Sequence, residues 1–225
     1  MHPTVKIPQQ DFIQALFEKK TPLRMEFLCS VMEVADLPRP LAPEFALVGR
    51  SNVGKSSLLN FIAGHKQLAR VSNTPGRTQT INLFCAEKGA FFLVDLPGYG
   101  YAKLTHSMQK HWASAIKTFF EQRGPALFAV FFLIDMRREP NEQDQELCLW
   151  LQNLGLKIIA VQTKCDKIHK SKWPFVQQMH AQKLALHPSQ IVTTSVNKKI
   201  GLHHLMQHMA GTLDALDQET EDSKK

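Results

Sequence analysis

The densest group of chemistry-bearing residues is "GRSNVGKS", Gly49 to Ser56, which fits the spacing G-x-x-x-x-G-K-[ST]. Gly49 and Gly54 permit backbone turns that a side chain would obstruct. The N–H groups of Arg50, Ser51, Asn52, Val53 and Gly54 can then face phosphate oxygens, helped by the positive end of a following helix that starts with Lys55, Ser56 and Ser57. Lys55 would neutralise β- and γ-phosphates, and the Ser56 hydroxyl would ligate Mg²⁺. That loop alone leaves ATPase, GTPase, small-molecule kinase and sulfotransferase-like chemistries open.

Two further segments narrow the choice. "DLPG" places Asp95 at the end of an apolar run, where a carboxylate can hold Mg²⁺ through a water; Leu96 and Pro97 carry the turn to Gly98, whose N–H can meet the γ-phosphate. Between the two motifs, "TPGRTQT" brings Gly76, Arg77, Thr78, Gln79 and Thr80. Local spacing favours Thr78 over its rival Thr80 as the hydroxyl that completes the Mg²⁺ shell only while a γ-phosphate is present, which would make the segment a switch. "TKCD", Thr163 to Asp166, then selects the base. The Asp166 carboxylate can accept from the guanine N1–H and exocyclic amine, the Lys164 stem can lie over the ring, and Cys165 sits between them. Adenine offers neither donor, and a site built on such contacts discriminates by roughly 10⁴-fold or more. "TTSVNK" would cover the guanine O6 through backbone around Thr194, Ser195 and Val196. The expected ligand is GTP or GDP.

These residues need a scaffold that gathers loops. Short apolar runs ("FALVG", "TINLFCA", "AFFLVDL", "LFAVFFLID", "KIIAVQT", "QIVTTS") alternate with helical stretches at 55–64, 107–122, 141–153, 172–185 and 202–216. Alternation of this kind predicts an α/β fold, a mostly parallel sheet with helices on both faces, whose ligands bind beyond the carboxyl ends of the strands. Every motif above falls at such an end. Residues 1–40, with a helix-like "DFIQALFEK", read as an N-terminal extension, 41–213 as the nucleotide-binding domain and 214–225 as a disordered acidic tail.

Composition bounds the setting. With 44% apolar and 21% charged residues, the chain can bury a full core, and its longest apolar run is half a membrane span. Four scattered cysteines without CxxC spacing point to reduced thiols, a cytoplasmic location and no zinc site. The net charge is +7; the last twelve residues carry −3, leaving +10 on the rest. A body so basic favours an anionic partner. Lys103, Arg137, Arg138, Lys164, Lys167, Lys170, Lys172, Lys198 and Lys199 all follow strand ends, and few aromatics lie among them, so folded RNA suits this face better than single strands.

The motifs in this order resemble those of translation-factor-related P-loop GTPases, and "GRSNVGKSSLLN", "PGRTQTIN", "DLPGYGYAK" and "TKCDK" together resemble the EngB (YihA/YsxC) family of ribosome-biogenesis GTPases. The resemblance spans Phe45 to Leu216. It implies a Ras-like sheet, Mg²⁺-dependent GTP hydrolysis, association with the assembling large ribosomal subunit and a need for normal septation. Threonine at 163 departs from the usual asparagine, keeping a hydroxyl and losing the amide that tethers the loops. Ras-like enzymes place a water-orienting glutamine after D-x-x-G, and here that residue is Tyr99, so slow intrinsic turnover is expected of a monomer. Asn52 has two readings: its amide could hold K⁺ between the phosphates, a charge acting with Lys55 and Gly98 in catalysis, or it serves a tight turn. Arg77, Arg137 and Arg138 are given no chemical role. The competing function is a septation regulator that works through protein partners.

Overall fold

The computed structural model describes Ala15 and residues 22–65, 67–69, 80–100 and 106–222. Apart from Ala15, "DFIQALFEK" lies outside the described residues, as do Gly76, Arg77, Thr78, Gln79 and Lys103. The strands are β1 (Met25–Val31), β2 (Glu44–Gly49), β3 (Ile81–Ala86), β4 (Phe91–Asp95), β5 (Leu127–Asp135), β6 (Ile158–Thr163) and β7 (Ile191–Thr193). The principal helices are α1 (Lys55–Ala63), α2 (His106–Arg123), α3 (Glu142–Asn153), α4 (Trp173–Lys183) and α5 (Leu202–Asp222).

The strands form one sheet in the order β1-β3-β4-β2-β5-β6-β7. β2, β4, β5, β6 and β7 run parallel, while β3 pairs antiparallel with β4 and with β1. The central strands β2, β5 and β6 are buried throughout, and most of their residues are accordingly apolar. Along β2, Phe45 and Leu47 join one core with α1 and α5, whereas Ala46 and Val48 join the other with α2 and α3. That period-2 partition makes β2 and β5 the rigid spine from which the phosphate loop and the loop after Asp135 emerge.

Two boundaries differ from the sequence expectation. β1 belongs to the sheet, with Glu26 opposite Cys85 and Val31 opposite Ile81, so the domain begins well before residue 41. β1 lacks regular alternation, leaving Phe27 and Leu28 about half exposed on an edge, and therefore carries no strand signal of its own. At the other end α5 continues to Asp222, through most of the stretch expected to be disordered. No glycine or proline interrupts residues 212–222, so nothing in the backbone ends the helix there.

The base of the sheet is held by a buried ion pair. Arg123 Nε donates to Glu44 Oε2 at 2.9 Å, Nη2 donates to Glu44 Oε1, and Nη1 donates to the Pro38 carbonyl at 2.9 Å. This pair lies at the end of the sheet away from the nucleotide motifs.

Candidate functional site

The phosphate loop leaves β2 at Gly49 and enters α1 at Lys55. Gly54 caps the helix at φ +117°, a conformation that side chains strongly disfavour. Gly49 is required for space instead: a Cβ there would sit 2.8 Å from the Leu133 carbonyl oxygen. No acidic residue occupies the first turn of α1, so its positive end faces the loop uncompensated.

The segment after β4 lies directly on this loop. Ser51 N donates to the Tyr99 carbonyl at 2.9 Å, and Tyr99 N donates to the Gly49 carbonyl at 3.3 Å. A Cβ on Gly98 would stand 3.0 Å from both Lys55 Nζ and Ser51 N, so glycine lets the segment approach the loop closely without displacing either. Asp95 is 2% exposed, and its Oδ1 has no hydrogen-bond partner among the described residues. Burial pushes the Asp95 carboxyl up to about 6 against the pull of Lys55, and burial lowers Lys55 against the pull of Asp95. A buried carboxylate oxygen without a donor among the described residues suits a hard cation that prefers oxygen.

The base loops meet at the ends of β6 and β7. Ser195 Oγ donates to Asp166 Oδ1 at 2.6 Å, and this bond leads the causes that hold the Asp166 carboxyl below its ordinary value. Lys198 N donates to Ser195 Oγ at 3.1 Å, so the serine is itself oriented. Cys165 N donates to the Thr194 carbonyl at 3.2 Å, which locks the two loops side by side.

Two bonds then join the base end to the phosphate end. Thr163 Oγ1 donates to the Val53 carbonyl at 2.7 Å and also lies 3.3 Å from the Ile134 carbonyl. Lys164 Nζ donates to the Asn52 carbonyl at 2.8 Å. These bonds hold the loops that would grip a triphosphate and the loops that would read a purine edge in one fixed relation.

A family model described as "50S ribosome-binding GTPase" matches residues 44–164. The "Probable GTP-binding protein EngB" of Alkaliphilus metalliredigens is 41% identical over 181 residues, covering 80% of this chain and 86% of that relative. This chain belongs to the EngB family of GTP-binding proteins. The EngB of Geobacter metallireducens is 39% identical over 198 residues, covering 88% of this chain and 96% of its own length. A crystal structure of a probable EngB superposes with a TM-score of 0.66 at 22% identity, over 76% of this chain and 99% of that one. The latter bears on the fold alone, which is the Ras-like P-loop GTPase fold. As a member of the EngB family, the protein binds guanine nucleotides and hydrolyses GTP.

The remaining residues singled out in the sequence take varied positions around these loops. Threonine at 163 replaces the usual amide without loss of the tie, because its hydroxyl reaches the phosphate loop directly. The Thr194 hydroxyl donates to the Gln162 carbonyl at 2.9 Å, and Cys165 is fully buried, so both serve the site through their backbone. Val196 is exposed at the rim. Thr80 Oγ1 donates to Asn82 Oδ1 at 3.4 Å, and Thr78 is outside the described residues. Asn52 is exposed at φ +62°, a left-handed turn position that asparagine favours.

The Tyr99 side chain is committed to α3. It is 3% exposed, and its hydroxyl donates to Asp144 Oδ1 at 2.6 Å. Asp144 Oδ2 meanwhile accepts from Asn141 N at 2.9 Å, in the capping box that starts α3. The residue after D-x-x-G therefore anchors its segment to α3. Asp135 was missed altogether, although it ends a strand in the same way that Asp95 does, and that parallel was available in the sequence.

Proposed function

We propose that this EngB-family GTPase is a Mg²⁺-dependent, slowly hydrolysing switch that acts in assembly of the large ribosomal subunit and thereby supports normal cell division. The observation that carries the proposal is the junction of the Gly98 segment with the phosphate loop. The Gly98 segment packs closely against Lys55 and Ser51, so a γ-phosphate held by Lys55 would meet this segment and bias how it sits. Lys55, Ser56, Asp95 through a water, and Thr78 would hold the nucleotide and its ion; when bound, that ion supplies charge neutralisation at the β- and γ-phosphates. Tyr99, engaged with Asp144, leaves no side chain at its position to orient water, which supports low intrinsic turnover. K⁺ acting beside Asn52 is the activator we propose, and equal hydrolysis rates in KCl and NaCl at matched ionic strength would remove it.

The family description supports a ribosomal partner. So does the rim of the pocket, where Arg137, Arg138, Lys167, Lys170, Lys172, Lys198 and Lys199 are exposed at the carboxyl ends of β5, β6 and β7. Such a rim can meet RNA phosphates without reading sequence. Free thiols at all four cysteines support a reducing, cytoplasmic compartment, where we propose that the protein works as a monomer. Among the described residues no helix is long and apolar enough to cross a membrane. The test is co-sedimentation with large-subunit precursors. Binding with a nonhydrolysable GTP analogue, weakened by GDP and by salt, is expected; equal binding in both nucleotide states refutes the switch.

A further inference from the structure

Asp135 ends β5 within "DMRREP", a segment to which the sequence lent no chemistry. Its side chain is 6% exposed and accepts four hydrogen bonds. Oδ1 accepts from Arg137 N at 3.1 Å and Arg137 Nε at 2.9 Å. Oδ2 accepts from Arg137 Nη2 at 2.6 Å and from Lys164 Nζ at 2.9 Å. The same Lys164 ammonium donates to the Asn52 carbonyl at 2.8 Å.

A lysine ammonium sits on a flexible four-carbon stem with three donors and no directional preference of its own. For the stem to lie flat along a base, the ammonium must be fixed beyond it. One neutral carbonyl on the phosphate loop is a modest anchor, whereas an ionised carboxylate roughly doubles the strength of a hydrogen bond. Asp135 supplies that carboxylate from the end of the central strand. Burial favours its neutral form, but the bonds from Arg137 and Lys164 overcome this and hold the carboxyl well below its ordinary range. The fork of Arg137, through Nε and Nη2, fixes the carboxylate plane so that Oδ2 faces Lys164. Those two nitrogens are thereby taken up within the protein, although the side chain is 46% exposed.

We propose that Asp135 is a positioning residue for guanine-nucleotide binding: it fixes the Lys164 ammonium against the phosphate loop so that the lysine stem covers the base, and Arg137 orients Asp135 for that task. The proposal rests on Lys164 lying along the base, as the TKCD reading requires. It differs from the tie made by Thr163, which involves no charge and does not touch the nucleotide.

The experiment is stopped-flow release of fluorescent GDP from wild type, Asp135→Asn, Arg137→Ala, Lys164→Met and the double variant Asp135→Asn/Lys164→Met. Loss of one charge-assisted bond predicts about tenfold faster release from Asp135→Asn. A smaller acceleration is expected for Arg137→Ala. In the Lys164→Met background, Asp135→Asn should add nothing, because residues acting through one contact are not additive. Unchanged release in both Asp135→Asn and Arg137→Ala overturns the proposal. So does an acceleration that persists undiminished without Lys164, which a merely structural role would produce. If Asp135→Asn fails to fold, Arg137→Ala alone, with and without Lys164→Met, decides. Wild-type protein that binds no GDP would instead overturn the nucleotide site itself.

Discussion

Replacing Thr163 by valine tests the link between the base and phosphate ends with almost no change of shape. The substitution removes a hydroxyl that lies 2.7 Å from the Val53 carbonyl and 3.3 Å from the Ile134 carbonyl. Thr163 is 6% exposed and Val53 4%, so water cannot easily take the place of the lost donor. Deleting one partner of a buried hydrogen bond costs about 1–3 kcal/mol. In a domain of this size each kcal/mol lowers Tm by about 2–4 °C, so a mid-range loss corresponds to roughly 4–8 °C. The bond from Lys164 Nζ to the Asn52 carbonyl remains and keeps the loops in register. GDP affinity should therefore change by no more than about threefold, since about 1.4 kcal/mol is needed for each factor of ten. Thr163→Ser is the control, because it keeps the donor and loses only a methyl. Thermal unfolding of the nucleotide-free protein, followed by GDP titration, measures both quantities. A Thr163→Val protein as stable as wild type, or a Thr163→Ser protein less stable than Thr163→Val, would refute the reasoning that this hydroxyl replaces the usual amide tether.

Tyr99→Phe should destabilise the fold by about 1.5–3 kcal/mol, because it removes a hydrogen bond to a buried carboxylate. Intrinsic GTP hydrolysis per folded molecule should stay within about twofold of wild type, since the hydroxyl faces Asp144 and not the phosphates; a hundredfold loss of turnover would assign Tyr99 to the chemistry. The pH dependence should reflect His180, which is fully buried between Gln162 Nε2 and the Arg138 carbonyl, each 2.9 Å away. The Arg138 carbonyl can only accept, so Nε2 carries the proton and Nδ1 accepts from Gln162. Burial is the main cause holding this imidazole below its ordinary value of 6.5. A depressed histidine contributes stability that is complete above the unfolded value and is lost as pH falls toward the folded one. Wild-type Tm should thus drop between pH 7.5 and 5.5 by more than that of His180→Asn, and parallel curves would exclude the assignment.

The parts of the site that could be read in advance are those whose geometry is local. The turn from β2 into α1 needs a glycine at Gly54 for its φ and a cation one residue later, so its chemistry is written in consecutive letters. Asp95 and Asp166 were legible for a related reason: each follows an apolar strand, and parallel strands deliver their carboxyl ends to one edge. Other features were silent because their partners are remote. Thr163 and Val53 are 110 residues apart, and Tyr99 and Asp144 are 45 apart. β1 gave no signal because it is a mostly exposed edge strand whose register shifts between Phe27 and Cys29, which interrupts any alternation.

Sequence alone determined that this chain binds guanine nucleotide on a mostly parallel sheet, since backbone turns and strand ends obey short-range sterics. Tertiary packing alone decided which buried donors and acceptors were left to find one another. It set the Thr163 hydroxyl beneath the phosphate loop, aimed Tyr99 at α3 and put Asp135 behind Lys164. Those choices depend on the distances between strands and helices, which no local pattern specifies.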